Sequence, residues 1–312
     1  MMFSILCKKP SDYLCPPTIG GVEKRAKVLM DYLLSQGSLT GIYSFKDLDK
    51  IPKTSSIITY NLPNDVAVKL NKLKIKTCNS YCSGHDAPTE EIFTSEFIKV
   101  RFLTENQKDL CKGNFNEANA FVAPHGFGEH ECKWLPNSRK YYIWCASLGW
   151  GTRAKGLDAF FQLAIRNPDK NFIAYCGRWN SKELEHSLLE SAYSTPNLHN
   201  IQIKFDLKDE EKDKAFSHAI ALCQFTRLRE SFNVVALESV LRNVPVLTLD
   251  VENGGVSENL GDFNIKMNKS FILNTEILDQ IKTQSDRLDK GLFPKEKFSC
   301  GHEIRIITEF ME

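Results

Sequence analysis

Short apolar runs rich in β-branched and aromatic residues alternate along the whole chain with longer stretches whose apolar positions recur every three or four residues. The first pattern predicts strands and the second amphipathic helices. In the first half the strand-like runs are Phe3–Cys7, Leu39–Ser44, Ser56–Tyr60, Ile75–Cys78, Val100–Leu103 and Ala120–Ala123. Helical patterns lie between them at Val22–Gln36, Asp65–Leu73 and Glu105–Cys111, the first stopping at Gly37. The second half repeats the scheme. Strand-like Tyr141–Ala146, Asn171–Cys176, Asn200–Phe205, Ile220–Gln224 and Val244–Leu249 alternate with helical Leu157–Arg166, Lys182–Tyr193, Glu210–His218 and Val234–Arg242. Leu273–Leu288 and His302–Phe310 read as closing helices. Regular alternation of this kind implies parallel sheets with crossover helices. The polar, proline-bearing stretch Lys133–Lys140 divides the chain into expected domains 1–136 and 137–312. The fold class expected is α/β, two doubly wound Rossmann-like domains facing across a cleft.

Composition narrows the function. The chain has 312 residues, 42% hydrophobic and 25% charged, which excludes disordered and fibrous classes. Forty basic against 39 acidic side chains leave +1, so bulk electrostatics give no strong nucleic-acid signal. No apolar stretch is long enough to span a bilayer. The run Met2–Cys7, followed by Lys8, Lys9 and Pro10, reads as a first strand rather than a secretory signal. Ten irregularly spaced cysteines with no Cys-x-x-Cys fit buried reduced thiols in a cytoplasmic protein. A zinc site from Cys78, Cys82 and His85 lacks an evident fourth ligand.

The chemistry concentrates in Arg229–Asp250, RESFNVVALESVLRNVPVLTLD. Glu230 falls in the loop after a strand and Glu238 about a turn into the next helix. A loop entering a helix presents unpaired N–H groups and the positive end of the dipole, a seat for phosphate. Ser231, Phe232, Asn233 and Val234 would supply those amides. On spacing alone, two solvated glutamates on an amphipathic helix explain the pattern equally. A second block, Ser147–Asp158 (SLGWGTRAKGLD), places Arg153 and Lys155 beside glycines after a strand. Backbone and positive charge together suit a phosphate. A third, Thr18-Ile19-Gly20-Gly21-Val22-Glu23, opens a helix after the first strand, and His85-Asp86 follows Ile75–Tyr81. Pro124-His125-Gly126 reads as a turn.

Taken in this order, the blocks resemble glycosyltransferase family 4, retaining nucleotide-sugar transferases of the GT-B fold. The resemblance rests on Glu230-x7-Glu238, Asn243-Val244-Pro245-Val246, Gly254-Gly255-Val256-Ser257-Glu258, Lys155-Gly156, Gly20-Gly21-Val22-Glu23 and His85-Asp86. It departs at Trp150, where the family has its phosphate-binding Arg, and at Ser231 and Asn233, where glycines are common. It implies transfer of a sugar from a nucleoside diphosphate sugar, a UDP- or GDP-sugar, to an acceptor hydroxyl with retention. Glu230 would hold the donor sugar, Glu238 the ribose, and Lys155 with Arg153 the diphosphate. His85 would face the sugar, with Asp86, Gly254 and Gly255 toward the acceptor side. No permanently bound cofactor and no metal are implied. The last helix, about 302–310, would pack back on the first domain. The acceptor (glycan, lipid-linked sugar or modified base) and peripheral contact with the inner membrane face stay open. So do two rivals: a nucleotide-sugar-binding protein without transfer, and a transferase acting on modified DNA bases.

Overall fold

The computed structural model describes residues 1–14, 21–82, 95–112, 116–128, 138–147, 153–177, 186–187, 190, 194–195, 198–206, 208–228, 230–249 and 254–312. The chain divides into two compact units. The first comprises Met1–Glu131, Glu230–Phe232 and Lys295–Glu312, the second Cys132–Arg229 and Asn233–Pro294.

In the first unit, strands β1 (Phe3–Cys7), β2 (Leu39–Ser44), β3 (Ser56–Tyr60), β4 (Thr77–Ser80), β5 (Ile98–Phe102) and β6 (Ala120–Val122) form one parallel sheet in the order β2-β1-β3-β4-β5-β6. Every residue of β1 is buried, because helices cover both faces of the sheet. Alternation along the strand sends Phe3, Ile5 and Cys7 to one face and Leu6 to the other. The first face packs on α2 (Gly21–Ser35) through Ala26, Leu29, Met30 and Leu33. The second packs on α3 (Asn64–Leu73) through Val66, Ala67 and Leu70. Short helices α1 (Pro10–Leu14) and α4 (Glu105–Leu110) complete the amino-terminal part. The final helix, which follows Ser299 and ends at Met311, belongs to this unit too. Its Ile307 and Met311 join the α2 face of the core, and Phe310 stacks on Phe121 at 4.3 Å.

The second unit has β7 (Tyr141–Ser147), β8 (Phe172–Gly177), β9 (Ile201–Phe205), β10 (Ala219–Gln224), β11 (Val246–Leu249) and β12 (Asn264–Met267). They are parallel in the order β12-β11-β10-β7-β8-β9, the Rossmann order. Helices α5 (Leu157–Arg166), α6 (Asp209–Ser217), α7 (Val234–Leu241), α8 (Gly254–Leu260) and α9 (Thr275–Asp289) follow in chain order, before the closing α10 (Cys300–Met311) of the first unit. Phe160, Leu163 and Ala164 of α5 pack with Trp144 of β7 and Phe172 of β8 in its core.

Several elements differ from the expected pattern: β5 starts at Ile98 and β11 at Val246, the short helices α1 and α8 were not expected, and the helix expected at Lys182–Tyr193 lies largely outside the described residues. Two strands differ most. The strand expected at Ile75–Cys78 runs instead over Thr77–Ser80. Lys74 takes a left-handed conformation (φ 54°) that ends α3, and the Ile75 N–H donates back to the Leu70 carbonyl. Pairing starts only where Thr77 meets Ile57 and Ile98. The strand TCNS is buried yet polar, so it lacks the apolar signature of its neighbours. Strand β12 was not expected. It is a four-residue edge strand pairing only with β11, and its short alternation buries Ile265 and Met267. Among the described residues no helix is long and apolar enough to cross a membrane.

Candidate functional site

In a doubly wound sheet the strand order reverses at one place, and the loops leaving the carboxyl ends there splay apart into a ligand crevice. In the second unit that place lies between β7 and β10. The loop after β7 carries Arg153 and Lys155, and the loop after β10 leads into α7. These two loops are stitched together. Gly156 sits at φ 78°, and a Cβ there would lie 2.0 Å from the Phe225 carbonyl oxygen, so no other residue fits. The Arg227 N–H donates to the Ala154 carbonyl at 2.9 Å, and Arg227 Nη1 donates to the Arg153 carbonyl at 2.6 Å. Arg227 also forms an ion pair with Asp158 of α5 at 2.7 Å. Trp144 Nε1 donates to the Lys155 carbonyl at 3.1 Å, fixing that residue's backbone from inside the core. The Arg153 side chain is exposed and that of Lys155 half-buried.

The helix that follows is capped by its own sequence. Asn233 Oδ1 accepts from the Ala236 N–H at 2.9 Å, an N-cap bond. Val234 and Val235 then open α7 with N–H groups that have no acceptor within the helix. With the dipole of α7 behind them, they form an electropositive end.

Glu238 lies one turn further and is 3% exposed. Its carboxylate pairs with Lys212 of α6 at 2.9 Å. Burial works against the Lys212 ammonium, but the charge of Glu238 and the hydrogen bond to it together outweigh burial and raise the Lys212 pKa. Arg242 joins the same helices, bonding Asp213 of α6 and the Glu238 carbonyl. The Glu211 carboxylate accepts from the Lys208 N–H, and Lys212 and Asp213 clip α6 to α7.

Glu230, Ser231 and Phe232 belong to the first unit. Ser231 Oγ donates to the Cys82 carbonyl at 3.3 Å, and the Ser231 carbonyl accepts from Thr104 Oγ1 at 3.2 Å. The Phe232 ring meets the His125 ring edge-on at 5.2 Å. His125 is thus not a surface turn residue. It is 2% exposed and part of a buried charge network. Arg101 pairs with Glu303 of α10, and donates to the Ala123 and Pro124 carbonyls and to Ser80 Oγ. Glu303 Oε2 accepts from the Gly126 N–H at 2.6 Å. Gly126 is required there, since a Cβ would lie 2.5 Å from the Cys300 Cα. Burial alone would raise the Glu303 pKa, but Arg101, His125 and the Gly126 N–H together reverse the sign and hold it at about 2. Burial pushes the His125 imidazole down to about 4, despite the neighbouring Glu303.

Of the remaining site residues expected from sequence, Gly21 starts α2 and Gly254 and Gly255 start α8. Gly20, His85, Asp86 and Trp150 lie outside the described residues. Sequence reasoning did not single out Arg227, Lys212, Arg101 or Glu303. Their partners are remote in the chain, and no local spacing marks them. Among the described residues no three or more His, Cys, Asp or Glu side chains come close enough to hold a metal ion.

No protein-family model matches the chain, and no curated protein matches it by sequence. Solved structures match over the whole length. A glycosyltransferase from Rickettsia africae superposes with a TM-score of 0.72 at 14% identity, over 100% of this chain and 99% of that one. HepE from Anabaena, solved in complex with UDP, gives 0.70 at 12% identity, over 99% of each chain. Sucrose-phosphate synthase from Thermosynechococcus elongatus gives 0.73 at 12% identity, again over 99% of each. With two six-stranded parallel Rossmann-like units and these full-length matches, the chain has the GT-B fold.

Proposed function

We propose that the chain is a retaining glycosyltransferase that moves a sugar from a nucleoside diphosphate sugar to an acceptor hydroxyl. The observation that carries the reading is the stitched pair of loops at the β7/β10 reversal. There Lys155 and Arg153 and the amino end of α7 offer two kinds of positive charge. The diphosphate leaving group gains negative charge as the glycosidic bond breaks, and preorganised donors of this kind stabilise it. Glu230, three residues upstream of Asn233, is assigned to the donor sugar, and His85 to the sugar face from the family resemblance. The leaving diphosphate oxygen takes the acceptor proton, so no separate base and no metal are assigned. HepE was solved with UDP and with UDP-glucose, which makes a UDP-sugar the first donor to try.

The departure at Trp150, where the family has its phosphate-binding Arg, favours a second reading, a nucleotide-sugar-binding protein without transfer. In either reading Glu238, buried under Lys212, is a ribose ligand or a clip between α6 and α7. Glu238→Gln separates the roles. A ribose ligand loses nucleotide affinity with little change in stability, whereas a clip between helices loses stability instead.

The test is release of nucleoside diphosphate from UDP-glucose and GDP-mannose in the presence of a panel of hydroxyl acceptors, with and without EDTA. The reading predicts release from one donor that resists EDTA and falls about 10²–10³-fold in Lys155→Ala. Binding of a nucleotide with no release from any donor would select the second reading.

A further inference from the structure

The first unit holds a separate pocket of about 730 Å³, a size suited to a small ligand. Its walls come from segments far apart in sequence. Lys8 follows β1 directly, Phe45 and Lys46 follow β2, and Lys69 and Lys72 stand on α3, which follows β3. The pocket therefore begins at the carboxyl ends of β1, β2 and β3 and runs along one face of α3 to its last residue, Leu73. Its upper end lies beside the reversal in the order β2-β1-β3, where doubly wound sheets bind ligands.

Two features define what fits. The four ammonium groups of Lys8, Lys46, Lys69 and Lys72 are exposed, and none forms an ion pair with a described residue. Lys69 and Lys72, three apart on one helix, repel each other slightly when the pocket is empty. Among the described lining residues there are two carboxylates, Asp49 and Asp65, against the four lysines, so these residues carry a net +2. The floor is apolar: Leu48 and Val66 are buried beneath it, and the half-buried Phe45 ring stands beside them. A bare anion would satisfy the ammonium groups and leave that floor wet. A neutral apolar molecule would do the reverse.

We propose that this pocket binds a single amphipathic phosphate, its phosphate held by the lysines and its apolar chain laid over Phe45 and Val66. The proposal rests on this pocket alone and stands or falls independently of the donor site in the second unit.

The experiment is calorimetric titration of the full chain with hexyl phosphate, inorganic phosphate and hexan-1-ol at low salt. The Lys69→Glu/Lys72→Glu double variant is titrated alongside. Saturable binding of hexyl phosphate, about tenfold or more tighter than either half-molecule and about tenfold weaker in the double variant, supports the pocket. UDP binding should be unchanged in that variant. If the double variant's thermal midpoint falls, the exposed Lys46→Glu takes its place. Equal affinity for hexyl phosphate and inorganic phosphate would reduce the site to an anion patch and overturn the proposal. So would affinity unaffected by the lysine changes. Binding only to phosphatidylglycerol–phosphatidylcholine vesicles, with none to monomeric hexyl phosphate, would overturn it in favour of a membrane-facing surface.

Discussion

Gly156 is the residue on which the geometry of the second unit's loops turns. Its φ of 78° and the Phe225 carbonyl 2.0 Å from any Cβ forbid a side chain. Gly156→Ala should lower stability by at least about 2 kcal/mol, read from urea unfolding, and displace Lys155 with it. The sequence does place Lys155-Gly156 as a candidate phosphate site, because a lysine beside glycines after a strand has a local signature. It does not reveal why Gly156 must be glycine, since Phe225 lies far along the chain. His125 is the opposite case. Its local setting, between proline and glycine, reads as a turn, and the burial that gives it meaning comes from Arg101, Glu303 and Phe232. That burial has a pH consequence. The imidazole is held at about 4 in the folded chain, against an ordinary value of 6.5. Between those values the unfolded chain binds more protons, so stability is lost as pH falls from about 6.5 toward 4. The loss should be on the order of 3 kcal/mol for the whole interval. Chemical denaturation at pH 7, 5.5 and 4.5 should show it, and His125→Asn should flatten that part of the profile. An unchanged slope in the variant would refute the buried neutral imidazole.

At the scale of elements, legibility follows burial pattern. Strands buried on both faces announce themselves as continuous apolar runs, and β1 and β3 begin and end where the pattern places them, as does the half-buried edge strand β2. Strand β4 is buried but built from Thr77, Cys78, Asn79 and Ser80, whose polar groups bond within the fold. Asn79 Oδ1, for example, accepts from the Leu62 N–H at 3.1 Å. Periodicity registers only hydrophobic side chains, so such a strand is displaced in any reading from sequence. Helix α7 is legible at its end because Asn233 is a natural cap. Asn233→Ala should cost about 1 kcal/mol of stability, measured as a fall in the denaturation midpoint at constant m-value. The pairs that join α7 to α6 are not legible. Lys212 and Asp213 sit in a run of charges that reads as solvated until the fold brings Glu238 and Arg242 against it.

For the whole molecule, the alternation of strands and helices was enough to anticipate two doubly wound α/β units. Strand order was not. Nothing in the chain says that β1 lies between β2 and β3, or that β7 lies between β8 and β10, and those orders locate the crevices. The same is true of Arg101 and Glu303, which join β5 to a helix at the far end of the sequence. The candidate site follows the same division: local motifs name candidate residues, and topology says which of their loops leave the sheet side by side. The central claim is that a nucleoside diphosphate is held by Lys155, Arg153 and the amino end of α7. A thermal-shift panel with UDP, GDP, ADP, CDP and TDP, each with and without EDTA, tests it most directly. At 100 times its dissociation constant a nucleotide adds about 2.7 kcal/mol of stability. The account predicts a shift with one nucleotide that survives EDTA and is lost in Lys155→Ala. The absence of a shift with any of the five at millimolar concentration would contradict it.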